Sequence, residues 1–132
     1  KINLPVSALI SITHRLAGMY VFFITLPLML ALIYFSTASE DSFNELSLFL
    51  RDHKFILGLI VLSFCILWYH ILSGVRHLIM DAHIGESLLA SKYSAIFTIS
   101  FWTISTSLVF WRIFSWRDQQ FGIFKGLAQS LI

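Results

Sequence analysis

The chain has 132 residues, of which 58% are hydrophobic and only 12% are charged. A soluble domain carries about a quarter charged residues, so this composition excludes an ordinary water-soluble fold and indicates a protein whose solvent is lipid. The formal net charge of +2 is too small to indicate a nucleic-acid partner, and the single cysteine, Cys65, excludes an internal disulfide and a Cys-x-x-Cys site.

Three long runs without charged side chains follow one another along the chain. Each run has about the 20 residues that a helix needs to cross the hydrocarbon layer. Because lipid offers no partner for a free N–H or C=O, each run must be helical. We therefore predict an all-α membrane protein with three transmembrane helices, at about 16–36, 55–80 and 93–114, that form part of a heteromeric helix bundle. Pro27 is expected to kink the first helix.

Charged residues fall in the segments between these helices, which we interpret as loops. Counts of Lys and Arg on the two faces normally indicate which face is cytoplasmic. The N-terminal face carries four such residues and the opposite face carries five: Lys1, Arg15, Arg76 and Lys92 against Arg51, Lys54, Arg112, Arg117 and Lys125. The charge counts therefore do not determine the orientation.

The C-terminal segment differs from the three helices that precede it. Residues 1–114 form the predicted membrane-anchor domain, and 115–132 form a tail with apolar residues at helical spacing, among them Phe121 and Phe124. This pattern predicts an amphipathic helix that lies in the membrane interface. A disordered tail is the alternative.

The end of the second helix carries a polar stripe. At about 100° per residue, His70, Gly74, His77 and Asp81 fall within an arc of about 60°. An imidazole within a membrane helix is costly and usually functional. His70 is either an interhelical hydrogen-bonding group, part of a proton relay, or an axial ligand of haem iron. Gly74 favours haem, because one turn from the ligand it leaves room for a flat macrocycle.

The start of the first helix carries a second polar cluster on one helical face, consisting of Ser11, His14, Arg15 and Gly18. The first helix enters the membrane where the second leaves it. The cluster is therefore expected at the same depth as Arg76 and the neighbouring His77. Interfacial snorkelling explains either arginine alone, but it does not explain why histidine and serine align with them.

Together the two clusters resemble a known family. Ser11-Ile12-x-His14-Arg15-x-x-Gly18 and His70-x-x-x-Gly74-x-Arg76-His77-x-x-x-Asp81 resemble the two signatures of the cytochrome b556 subunit of succinate dehydrogenase. Pro5 also fits the pattern. The resemblance extends from about Leu4 to Trp111 and includes the spacing of the three helices.

The resemblance implies a haem b shared with a partner subunit. His70 would be one axial ligand of the haem iron, and the partner would supply the other. His14 and His77 would meet the haem propionates, Gly74 would pack closely against the haem, and Arg76 would belong to the haem-binding residues.

The resemblance further implies a site for ubiquinone at Ser11 and Arg15. The chain would join a second membrane-anchor subunit, an iron–sulfur subunit and a flavoprotein, and electrons from succinate would reach ubiquinone in the membrane. The chain itself would carry no dehydrogenase active site. It would lie in a bacterial inner membrane with its N-terminus in the cytoplasm, a mitochondrial inner membrane being the alternative.

Three other functions stay open on the residues alone. The alternatives are the anchor of a quinol–fumarate reductase, a cofactor-free structural anchor, and a small proton-conducting protein that would use His14, His70, His77 and Asp81. An absorption spectrum distinguishes the haem protein from the last two.

Overall fold

The fold consists of five α-helices in the part of the chain that the structure describes. The structure is a computed structural model, and it describes residues 5–84 and 87–131, with only the backbone at 114 and 116–125. The helices are α1 (Val6–Tyr20), α2 (Leu26–Ala38), α3 (Glu40–Asp52), α4 (Lys54–Asp81) and α5 (Leu88–Ser130). The chain divides after Thr98 into two compact units, and the second contains the remainder of α5.

Three helical segments are long and apolar enough to cross a membrane, namely Val6–Ala38, Lys54–Asp81 and Leu88–Ile113. The prediction of three transmembrane helices is thereby confirmed. The first segment begins at Val6 instead of Leu16, because the prediction was based on an uncharged run that Arg15 interrupts. A membrane helix tolerates such a side chain where it lies near the interface or against protein.

Pro27 changes the local winding of the first transmembrane segment. Residues Val21–Thr25 form a π-turn between α1 and α2, and the proline occupies the first turn of α2. The proline ring would clash with the carbonyl four residues earlier, at Phe23, and it lacks an N–H. The wider π-turn accommodates both effects within a continuous helical path.

The first connecting segment contains a helix, α3, which sequence analysis took for a charged loop. Ser39 caps it, since its Oγ accepts the backbone N–H of Ser42 at 3.1 Å. Glu40 and Asp41 lie in its first turn and Arg51 in its last, so all three complement the helix dipole. These signals were present in the sequence, and the interpretation as a loop was wrong.

The apolar side of α3 faces the end of α2 and the start of α4. A groove of about 520 Å³ lies there. Its lining is mainly apolar and comes from all three helices; its residues include Leu32 and Phe35 on α2, Leu46 and Phe49 on α3, and Ile56 on α4.

Few apolar side chains are buried within the described chain. They are Ile10, Ala17 and Ala95, whereas large residues such as Phe23 and Leu78 are exposed. In lipid, exposed apolar faces contact acyl chains or the helices of other subunits. The exposed faces are therefore consistent with the predicted role in a heteromeric bundle.

The predicted interfacial tail is helical in the structure. Helix α5 continues without a break from Leu88 to Ser130, which differs from the predicted end at residue 114 and from the disordered alternative. The side chains of Phe121 and Phe124, on which the amphipathic pattern depends, lie outside the described part. Location in the interface therefore stays a prediction.

Candidate functional site

Helices α1 and α4 run antiparallel, and polar side chains join them along their length. The hydroxyl groups of Thr13 and Tyr69 form a hydrogen bond, and those of Tyr20 and Ser63 form another at 3.3 Å. Next to the first of these pairs the imidazole of His14 approaches Ser73. Much of the polarity of the two helices is therefore satisfied within the chain.

Three histidines meet in this helix pair. The rings of His14 and His70 are stacked, with centroids 4.4 Å apart and planes within 3° of parallel. His77 lies on the other side of His14, at 5.0 Å between centroids and a tilt of 49°. The prediction that His14 and His77 lie close together is therefore correct, and His70, which had no evident partner in the sequence, contacts His14.

Two glycines make this stacking possible. A Cβ at Gly18 would lie 3.1 Å from Cε1 of His70, and a Cβ at Gly74 would lie 3.3 Å from Cε1 of His14. Each helix thus carries a histidine and, one turn later, a glycine that faces the histidine of the other helix. Close approach of the helices depends on the missing side chains. The sequence showed both spacings but not their reciprocal arrangement.

Ser73 is a site residue that sequence analysis did not identify. Its Oγ lies 2.7 Å from Nδ1 of His14, and the residue is fully buried. Only its position beside Gly74 on the polar stripe pointed to it. A serine in a membrane helix is commonly a packing residue, so the sequence alone did not distinguish it.

Two histidine nitrogens are buried without a hydrogen bond to any described residue. They are Nδ1 of His70 and Nε2 of His77. Leaving such an atom unpaired in an apolar layer costs free energy. Within the described part of the chain no group of three or more His, Cys, Asp or Glu side chains could hold a metal ion by itself.

Arg76 does not reach the interface by snorkelling. It is 5% exposed and points to the start of α5, where it donates to the carbonyl of Ser91 at 3.0 Å, to Oγ of Ser91 at 3.1 Å and to Oγ of Ser94 at 3.1 Å. The guanidinium thus joins the end of α4 to α5. Both Arg15 and Arg76 nevertheless lie close enough to His77 for their charges to act on it, as expected if the two clusters meet at one depth.

Ser11 and Arg15 lie one turn apart on α1, beside His14. Ser11 is half-buried, Arg15 is exposed, and neither makes a hydrogen bond to a described residue. Their polar groups therefore remain available to a ligand or to another subunit.

The chain was compared with known proteins. A family model described as "Succinate dehydrogenase/Fumarate reductase transmembrane subunit" matches residues 1–110. The chain belongs to this family. As a member of the succinate dehydrogenase/fumarate reductase transmembrane subunits, it is a membrane-anchor subunit of an oxidoreductase complex.

Two curated relatives agree with the family assignment. The succinate dehydrogenase cytochrome b556 subunit of Coxiella burnetii is 35% identical over 103 residues, which cover 76% of this chain and 82% of the relative. The succinate dehydrogenase cytochrome b560 subunit of Porphyra purpurea is 40% identical over 83 residues, which cover 61% of this chain and 64% of the relative. The resemblance found in the two signatures is thereby confirmed.

Proposed function

We propose that this chain binds haem b and forms part of the ubiquinone-reduction site of a succinate:quinone oxidoreductase. Its partners would be a second membrane-anchor subunit, an iron–sulfur subunit and a flavoprotein. The observation that carries the proposal is the histidine pair inside the membrane, in which His70 stacks on His14 and is left with a buried, unpaired Nδ1.

The residues at this position suit a haem. Neutral imidazole is the common axial donor to haem iron, and no described residue bonds to Nε2 of His70. Gly18 and Gly74 let the two helices approach closely, and the imidazole of the opposite helix occupies the space over each glycine. Haem b would supply one-electron transfer between the iron–sulfur subunit and the membrane site.

His70 would hold the haem iron, and His14 and His77 would meet the propionates. The unpaired Nε2 of His77 supports this role, because a carboxylate would satisfy it. Arg76 would act on the haem through its positive charge, while its Nε and Nη2 donate to Ser94 and Ser91. Gly74 would allow the haem to pack closely against the helices.

Ser11 and Arg15 would bind the quinone. A quinone is apolar with two carbonyl oxygens, on which reduction builds negative charge. A hydroxyl and a guanidinium at the edge of an apolar pocket can bond to these oxygens and stabilise that charge. The two side chains lie one turn apart on α1 and make no hydrogen bond to a described residue, which leaves them free for this role.

The location follows from the same proposal. The N-terminal end of α1 and the C-terminal end of α4 would face the cytoplasm of a bacterium, where the iron–sulfur subunit docks, or the matrix of a mitochondrion. A quinol–fumarate reductase is the second candidate, because the matching family model includes both enzymes. The direction of electron flow distinguishes the two.

An absorption spectrum of the purified complex tests the haem. We expect a sharp reduced α-band that His70→Ala weakens or shifts. His53→Ala is the matched control, since His53 is an exposed histidine at the end of α3 whose side chain hydrogen-bonds to the carbonyl of Phe49 in the same helix. A complex without haem, or an unchanged low-spin spectrum in His70→Ala, would reject the assignment of His70.

A further inference from the structure

We propose that Ser73 is a positioning residue: it fixes His14 in one tautomer and orientation, and through the stacked pair it sets the ring plane of His70. This inference rests on the proposed function, in which His70 is an axial ligand. Ser73 itself would touch neither haem nor quinone.

The hydrogen bonds of Ser73 determine the direction of its bond to His14. Its hydroxyl has one proton, and its Oγ lies 2.8 Å from the carbonyl oxygen of Tyr69 and 3.2 Å from that of His70. A carbonyl oxygen can only accept. The proton therefore points to the carbonyls, because two oxygens at 2.8 Å without a proton between them would repel each other.

The remaining contact of Ser73 is then an accepted bond. Nδ1 of His14 lies 2.7 Å from Oγ and must carry the proton that it donates. Nε2 of His14 is left without a bond to a described residue. Ser73 thus selects the tautomer with hydrogen on Nδ1 and prevents the imidazole from rotating by half a turn about its second side-chain torsion. Such second partners commonly orient histidines at metal sites.

The orientation of His14 is passed on to His70 by packing. The two rings are parallel within 3° at 4.4 Å, and the missing side chain of Gly18 lets the ring of His70 approach α1. His70 has no hydrogen bond of its own at Nδ1. Its ring plane is therefore set by contact with His14, which Ser73 holds in place.

The helix pair offers a matched control in Ser63. Ser63 is also on α4, is 2% exposed and bonds across to α1 through Tyr20. Removal of its hydroxyl also deletes one bond between the same two helices, but far from the histidines. A purely structural role of Ser73 would make the two alanine variants alike.

The test is the electron paramagnetic resonance signal of ferric low-spin haem in the purified complex, since its g-values depend on the plane of the axial imidazole. We expect Ser73→Ala to shift or broaden this signal, His14→Ala to do the same, and the double variant to add nothing further. Ser63→Ala should match the wild type. Ser73→Thr keeps the hydroxyl and should restore the signal, whereas Ser73→Cys keeps the size but accepts weakly and should resemble alanine.

Two results would overturn the inference. One is a wild-type signal in Ser73→Ala or Ser73→Cys while His14→Ala changes it. The other is a shift in the double variant that equals the sum of the two single shifts. An unchanged signal in His70→Ala would instead reject His70 as the ligand, so failure of the proposed function is recognised separately.

Discussion

The gap at Gly18 permits a quantitative test of how α1 and α4 fit around His70. A Cβ at this position would lie 3.1 Å from Cε1, 3.6 Å from Nδ1 and 3.9 Å from Nε2 of the imidazole. Ordinary contacts between carbon atoms are about 3.5–4.0 Å. In Gly18→Ala the ring must therefore move by a few tenths of an ångström, although it is also in contact with His14.

The cost follows from two opposing contributions. Overpacking a close-fitted site costs about 1–3 kcal/mol, whereas replacing glycine by alanine in a helix recovers up to about 1 kcal/mol. The net cost against the native ring position is then up to about 2 kcal/mol, which corresponds to a change of up to about thirtyfold in an equilibrium constant. We expect the haem content of the Gly18→Ala complex to fall accordingly, and that of Gly18→Val to fall further.

The assay is the ratio of haem to flavin in the purified complex, with the reduced α-band as a second readout. Gly58→Ala provides the control, because Gly58 lies within α4 and a Cβ there meets nothing within 4 Å. Gly58→Ala therefore changes the helix propensity in the same way but adds no steric contact. If the Gly18→Ala complex keeps full haem and an unchanged spectrum, like Gly58→Ala, the close-fit argument is refuted.

Three further predictions concern the rest of the site and the assembly. Ser11→Ala and Arg15→Leu should each lower succinate-to-quinone activity on the order of a hundredfold, the usual cost of losing one preorganised donor. Oxidation of succinate with a soluble dye as electron acceptor should continue in both variants. Normal quinone reduction by well-assembled variants would place the quinone site elsewhere. Arg76→Lys should lower the stability of the complex by about 1–3 kcal/mol, because an ammonium cannot reproduce the fork of hydrogen bonds to α5. Arg51→Lys, at an exposed position, serves as the control. Equal melting temperatures of the two variants would contradict a stabilising role of the bonds from Arg76 to α5. Expressed without the second anchor, the chain should be degraded or haem-free, and a stable haem-loaded chain on its own would contradict the shared site.

The transmembrane segments were predictable because a bilayer imposes a single rule on all of them. A chain that crosses lipid must satisfy its backbone internally over about 20 residues, and three apolar runs met that condition. The start of the first segment at Val6 and the helix α3 were missed for one reason. Both contain charged residues, which a prediction from uncharged runs places outside a helix, although Ser39, Glu40 and Arg51 are typical of a capped helix.

The sequence predicted which site residues share a helical face, but it did not predict how the two faces meet. Spacing placed His14 with Gly18 and His70 with Gly74, but it did not show that each histidine faces the other glycine. That arrangement depends on the relative depth of two antiparallel helices, which a single sequence does not determine. For the same reason the bond from His14 to Ser73 and the turn of Arg76 toward α5 could be read only from the structure.

The structure also changes the reason why this chain should depend on its partners. The polar stripes of α1 and α4 face each other, and the hydroxyl groups of Thr13, Tyr69 and Ser73 are satisfied there. Polarity alone therefore does not require another subunit. Two features remain. Lipid can cover the exposed apolar faces, but it cannot form hydrogen bonds with the two buried imidazole nitrogens. Dependence on the complex would thus centre on His70 and His77. Since the proposed haem would be held by Nε2 of His70 and would satisfy Nε2 of His77, assembly with the second anchor and incorporation of haem should fail or succeed together.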